Sequence, residues 1–237
     1  MKIGLIIFAR LDSTRLAGKA LRPVAGRALL ARVIDRARQV AGARRVVVAT
    51  SDRALDDPIA AVAGAENTDL YRGSARDVAG RALAAADSAG LDAFARISGD
   101  SPFFDHRLLS EMIERFADGA LDLATNVMPR SYPPGASNEV VAVDAMRRLV
   151  GAATAPDERE HVTLYFYRHP DQFRIENWQA PDDRFAGVRL AVDTAADLAR
   201  ADWMARRLGG DAARASFEDV VALARQWQPV PDSAAVS

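Results

Sequence analysis

The sequence contains no cysteine. Disulfides, thiolate metal sites and cysteine nucleophiles are therefore excluded outright. Histidine is scarce, with three in 237 residues, which argues against a histidine-rich zinc site. There is no excess of either charge: 31 Lys and Arg against 32 Asp and Glu leave a net charge of −1. That balance gives no general pull toward nucleic acid or an anionic membrane, so neither is expected as a partner. No apolar stretch approaches bilayer-spanning length. The opening apolar run, Ile3 to Phe8, is too short for a signal peptide and lacks a cleavage pattern. The expectation is a soluble cytoplasmic protein in which any anion site is local.

What is present is a chain that is 49% hydrophobic, enough for one large domain or a domain with a lobe. Ile3 to Phe8 reads as a strand covered on both faces. Ala28 to Ala41 reads as a helix, with Leu29, Leu30, Val33, Ile34, Ala37 and Val40 on the 3.6 period. Further strands are predicted at Val46 to Ala49, Thr68 to Tyr71, Phe94 to Ser98 and Leu121 to Thr125. Helices are predicted at Pro58 to Ala63, at Asp77 to Ala89 and around Leu108 to Phe116. This alternation implies an α/β fold, three layers around a mostly parallel sheet, with ligands beyond the carboxyl ends of the strands. Pro129 to Gly135 reads as a loop and Glu139 to Val143 as a strand. Helices follow at Asp144 to Val150 and Asp157 to Arg168, then a strand at Phe173 to Trp178. Residues 126–178 are read as a lobe added to a single domain of residues 1–228. Arg189 to Val192 is predicted to return to the sheet, before closing helices at Ala195 to Leu208 and Phe217 to Trp227. Residues 229–237 are expected to be a disordered tail.

Three turns carry candidate chemistry. The first lies in IIFARLDSTRLAGK, Ile6 to Lys19. Arg10, Arg15 and Lys19 leave the first strand with only Asp12 to offset them. Ser13 and Thr14 add hydroxyls, and Gly18 permits close backbone approach. Cations and backbone N–H donors at close range suit a triphosphate; a solvated loop is the plainer alternative. The second turn is RISGDSP, Arg96 to Pro102, where Asp100 suits a hard cation such as Mg²⁺ or else caps its own turn. The third is VDT, Val192 to Thr194. Asp193 or Thr194 could cap the next helix, or Asp193 could share a metal with Asp100. Asp197 reads as a surface or first-turn charge.

Together these segments resemble the cytidylyltransferase family, which includes CMP-sialic acid and CMP-3-deoxy-manno-octulosonate synthetases. The likeness is nearest to the branch named for spore coat polysaccharide biosynthesis protein F. Ala9, Arg10, Ser13, Thr14, Arg15, Leu16, Gly18, Lys19 and Leu21 match its opening motif. Val47 to Ser51, Tyr71 to Ser74 with Asp77 and Val78, Arg96 to Pro102, Arg159 to Thr163, Tyr167 to Pro170 and Val192 to Thr194 follow in order. The resemblance implies a Rossmann-like, GT-A-like nucleotidyltransferase sheet with a small dimerisation and substrate lobe. It implies Mg²⁺-dependent transfer of CMP from CTP to an acidic sugar or related small acceptor, by a homodimer. Ala9 and the turn from Arg10 to Lys19 would hold the nucleotide, and Asp100 and Asp193 the metal. Arg72, Ser74 and Asp77 would lie in the base or substrate region. Lys19, Arg10 and Asp100 are the candidate catalytic residues. Glu139, Ser137 and His161 are candidates for the acceptor side, with His161 and Glu139 the possible bases.

Three positions depart from the family pattern. Asp12 stands where glycine is usual, Ala17 where proline is usual, and Ser137 where a carboxylate is usual. A glycosyltransferase that consumes a nucleotide sugar, or a catalytically weak nucleotide-binding homologue, is the alternative function.

Overall fold

A computed structural model describes residues 1–228. The expected tail, 229–237, lies outside the described residues. Strand β1 (Ile3–Phe8) opens the chain, and a two-residue hairpin, β2 (Pro23–Val24) and β3 (Arg27–Ala28), leads into helix α1 (Leu29–Ala37). Then come β4 (Val46–Ser51), α2 (Asp57–Ala65), β5 (Asp69–Gly73), α3 (Val78–Ser88), β6 (Ala93–Ser98) and α4 (His106–Phe116). Next are β7 (Leu123–Thr125), β8 (Glu139–Ala142), α5 (Val143–Ala152), α6 (Pro156–Glu160), α7 (Leu164–Arg168) and β9 (Ile175–Asn177). Helices α8 (Ala195–Leu208) and α9 (Phe217–Gln226) close the fold.

Seven strands form one sheet in the order β5-β4-β1-β6-β8-β7-β9. The segment read as a lobe sends β8 between β6 and β7, antiparallel to both, and β9 to the far edge. Side chains alternate along β1, so each face of the sheet carries its own core. Leu5 and Ile7 pack with Val33 of α1, Met112 of α4, Met204 of α8 and Val220 of α9. Ile6 packs with Ala82 of α3, Met146 of α5 and Phe166 of α7. These two covered faces give the expected three layers.

Two expectations change. The helix expected over Asp157 to Arg168 is two short helices, because His161 adopts an extended backbone at φ −104°, ψ 102°. Val162 and Thr163 follow, both β-branched and poor helix formers. The strand expected at Arg189 to Val192 has no ladder. Leu190 and Ala191 both donate to the Pro134 carbonyl (2.7 and 3.0 Å), and Val192 donates to Asp100 O at 2.9 Å. Pro133 and Pro134 have no N–H to return, so regular pairing cannot form along them.

Gly135 sits directly under that segment at φ +94°, and a methyl group there would overlap the backbone nitrogen of Ala191. Gly135→Ala is expected to destabilise the protein by about 2–3 kcal/mol through overpacking and backbone strain. It should also displace Asp193, two residues on. Denaturant unfolding and metal–nucleotide affinity should fall together.

Candidate active site

The site is built where β1 and β6, paired in the middle of the sheet, end side by side. Phe8 pairs with Ser98, and Gly99 N donates to Phe8 O at 2.8 Å. This brings the turn after β1 against Asp100. Gly18 takes a left-handed backbone, φ 65°, at the start of a short 3-10 helix over Lys19–Leu21. Its N–H reaches back to Leu11 O at 3.1 Å, closing the turn so that Lys19 points inward. The third segment arrives by a capping box. Thr194 and Asp197 cap α8 reciprocally, Asp197 accepting also from Asp193 N at 3.1 Å. The cap is therefore Thr194 with Asp197, so of the two expected alternatives Asp197 is the first-turn charge, buried at 6% exposure and not a surface one. The Asp193 carboxylate is left free to face Lys19.

Lys19 is the node. Its ammonium donates to Asp100 Oδ2 at 2.6 Å, Val192 O at 2.9 Å and Asp193 Oδ1 at 3.0 Å. Arg15 joins Asp193 Oδ1 at 2.8 Å, and Arg189 pairs with Asp193 Oδ2. Ser98 and Ser101 hydroxyls donate to Asp100 Oδ1 at 2.7 and 3.1 Å. Burial alone would raise the Asp100 pKa. The Lys19 ammonium and the two hydroxyls outweigh it and hold the carboxyl below the usual range. Two carboxylates whose oxygens converge on one point suit Mg²⁺, which takes one or two carboxylates and completes its shell with phosphate oxygens and water. Among the described residues no group of three or more His, Cys, Asp or Glu could hold a metal unaided.

Around this node opens a cleft of about 630 Å³ lined by Ala9, Arg10, Ser13, Thr14, Arg15 and Lys19 from the opening turn and by Asp100. Asp12 lines it too, paired with Arg53 at 2.8 Å and Arg10 at 3.4 Å. The hydrogen bond from Arg53 holds its pKa down, and Arg53 and Arg10 offset its charge. Among the described residues the non-glycine positive-φ positions are Ala25 and Asn67, so Asp12 needs no glycine-like backbone. Arg10 also meets Glu160 at 3.0 Å.

A second hollow of about 200 Å³ adjoins the cleft, lined by Ser137, Glu139, Tyr167 and Arg130. Arg96 and His161 line both spaces. His161 reaches this junction because the helix breaks there. Glu139, 1% exposed, accepts from Arg96 Nη1 at 2.5 Å and from Tyr167 OH. Burial raises a carboxyl, but Arg96 with the hydroxyls of Tyr167 and Thr163 outweighs it and keeps Glu139 below its ordinary 4.5. The pair's stability is therefore present above pH 4.5 and lost as the pH falls through the lower folded-state value. Glu139→Gln is expected to cost about 2–3 kcal/mol at pH 7, less than for a fully enclosed pair because water reaches Arg96. The difference from wild type should shrink as the pH falls from about 5 toward 3, read by denaturant unfolding across that range.

Ser74, Asp77 and Arg72 do not line the cleft. Arg72 turns toward β4, donating to Ser51 O and Arg53 O and pairing with Asp57 at 2.7 Å. Ser74 Oγ is committed to the turn through Asp77 N at 3.0 Å. Asp77 caps α3 through Gly80 N at 2.8 Å and meets Arg159 at 3.3 Å. Sequence reasoning missed Arg81, Glu160 and the wall position of Arg96. Arg81 did leave a signal: it is a charged residue on the helix face that carries Val78, Ala82 and Ala85, all buried. A cation within an apolar stripe calls for a partner or a ligand.

Comparison with known proteins gives a consistent result. A cytidylyltransferase family model matches residues 5–222. The spore coat polysaccharide biosynthesis protein SpsF of Bacillus subtilis is 34% identical over 81% of each chain. A 3-deoxy-manno-octulosonate cytidylyltransferase of Rhodospirillum centenum is 32% identical over 83% of this chain and 91% of its own. Among solved structures, a cytidylyltransferase from Leptospira borgpetersenii superposes with a TM-score of 0.89 at 26% identity, covering 97% of this chain and 99% of that one.

Proposed function

We propose, from the premise that this chain belongs to the cytidylyltransferase family, that it transfers CMP from CTP to an oxygen of a small acidic sugar or related acceptor. An acceptor hydroxyl attacks the α-phosphorus, the bond from that phosphorus to the β-phosphate oxygen breaks, and pyrophosphate leaves. The observation that carries this reading is the meeting of Lys19, Asp100 and Asp193 at one ammonium. Residues far apart in sequence supply there what a metal–triphosphate requires.

Catalysis in this reading is positioning and charge stabilisation. Arg10, Arg15 and Lys19 bind the phosphates and neutralise the charge that grows on the leaving group. Asp100 and Asp193 would hold Mg²⁺, which when bound neutralises phosphate oxygens and orients them. The acceptor occupies the hollow beside Ser137 and Glu139, and the opening it shares with the cleft at His161 and Arg96 brings its hydroxyl toward the α-phosphorus. His161, which lines both spaces, is the candidate to take the proton from the acceptor hydroxyl; Glu139 is committed to Arg96 and Tyr167. A homodimer in the cytoplasm, implied by the family resemblance, belongs to the same proposal; sedimentation of the purified chain tests the assembly. Among the described residues no helix is long and apolar enough to cross a membrane.

The test is a pyrophosphate-release screen of CTP, UTP, ATP and GTP against acidic sugars, sugar phosphates and phosphonates with Mg²⁺. Pyrophosphate from CTP and an acidic sugar is the expected result. Nucleoside diphosphate released from a nucleotide sugar would make the protein a glycosyltransferase instead. CTP binding without turnover across the panel would make it a binding homologue.

A further inference from the structure

Arg81 is 3% exposed, yet its guanidinium is poorly satisfied. Nη1 donates to Ser74 O at 2.6 Å, and Nε has no partner. Among the described residues no carboxylate lies in ion-pair contact with it. A buried guanidinium of this kind is costly unless a ligand completes it. Burial, with Arg10 nearby, lowers its pKa to about 10, so it remains a cation at neutral pH.

Its place in the sheet says which part of a ligand it meets. The strand order is β5-β4-β1-β6. Asp100 follows β6 on one side of β1, and Arg81 stands on α3, which follows β5 on the other side. Lys19, Arg15, Asp100 and Asp193 gather at the first flank. Arg81 lines the opposite flank of the same cleft with Val78 and Phe8, which offer apolar surface to a flat ring. Arg72, the arginine that the family resemblance implied for this region, is held on backbone carbonyls away from the cleft.

We infer that Arg81 reads the nucleobase, selecting a pyrimidine that turns adjacent acceptors toward it. Cytosine presents O2 and N3, both acceptors, which fit the guanidinium fork. Uracil presents an N3–H donor against the arginine's donors, leaving both unsatisfied, and sites built on such hydrogen bonds reject the wrong analogue strongly. This inference rests on the nucleotidyltransferase reading and adds a base-selecting residue to it.

Equilibrium binding to the full chain with Mg²⁺, by calorimetry, tests it without an acceptor. The probes are CTP, UTP, 3-deazacytidine triphosphate, which replaces the N3 acceptor by C–H, and inorganic tripolyphosphate. Wild type should bind CTP roughly 30-fold or more tighter than UTP and roughly tenfold tighter than the 3-deaza analogue. In Arg81→Met the three nucleotides should converge to within a few-fold while tripolyphosphate affinity is unchanged. Arg81→Lys, which keeps the charge and stem but loses the fork, should also lose most of the preference. Retained CTP preference in either folded variant overturns the inference, as does an equal loss for tripolyphosphate, which would make Arg81 a phosphate or structural group. The 3-deaza comparison needs no variant, so equal binding of CTP and that analogue by wild type overturns it even if Arg81→Met does not fold. If wild type binds tripolyphosphate and CTP equally, base reading fails while the phosphate site stands. If it binds neither, the nucleotidyltransferase reading itself falls.

Discussion

Asp193→Asn and Asp100→Asn are each expected to lower pyrophosphate release by about 10³-fold or more, roughly 4 kcal/mol of transition-state stabilisation. The reason is electrostatic. In the proposed function each carboxylate would be one of two hard donors to the metal, and an amide oxygen carries no net charge to hold it. The fold should survive. Removing Asp100 leaves the Lys19 ammonium on Asp193 and Val192 O, and removing Asp193 leaves it on Asp100 and Val192 O. Neither change strands a buried cation, because Lys19 keeps one carboxylate and the Val192 carbonyl, so a loss of about 2–3 kcal/mol in unfolding free energy is expected, short of the full cost of an orphaned buried charge. Metal-free tripolyphosphate binding should stay the same or tighten, because a repelling charge is gone. Wild-type turnover in both variants would remove these aspartates from the reaction.

Lys19→Met should have the second-largest effect, and it should act in two directions. In this structure the ammonium lies between the two aspartates, where their oxygens would otherwise meet a divalent ion. For the metal to use those oxygens, Lys19 must move, and the incoming phosphates are the natural acceptors for it. The variant is expected to lose about 10²–10³-fold in turnover, the scale for removing one preorganised donor from developing charge. Its affinity for Mn²⁺ in the absence of nucleotide should rise several-fold, because two carboxylates are left without the ammonium that competes for them. Paramagnetic titration of Mn²⁺ reads the second effect directly. Lower or unchanged nucleotide-free Mn²⁺ affinity would show that Lys19 does not compete with the metal for these oxygens.

Several features were legible before folding because they depend on local pattern. The continuous apolar run of β1 and the 3.6 periodicity of α1 and α4 follow from which faces are buried. The breaks in the plan are equally local in cause. Pro133 and Pro134 deny the 189–192 segment a ladder, and the β-branched Val162 and Thr163 interrupt a helix whose other residues favour it. Those signals were in the sequence but weak, since one or two residues decide them against a longer consistent pattern.

The sequence by itself determined the order of strands and helices, the basic turn after β1 and the candidate aspartates at two other turns, because burial period and residue chemistry are local properties. Only the tertiary structure decided that Asp100 and Asp193 share one ammonium, that Thr194 and Asp197 take the capping role, that Arg53 offsets Asp12, and that Arg81 lines the cleft where Arg72 does not. Which charges meet depends on strand order and on the direction a side chain leaves its helix. Those are set by packing across the whole sheet, and no short stretch of residues encodes them.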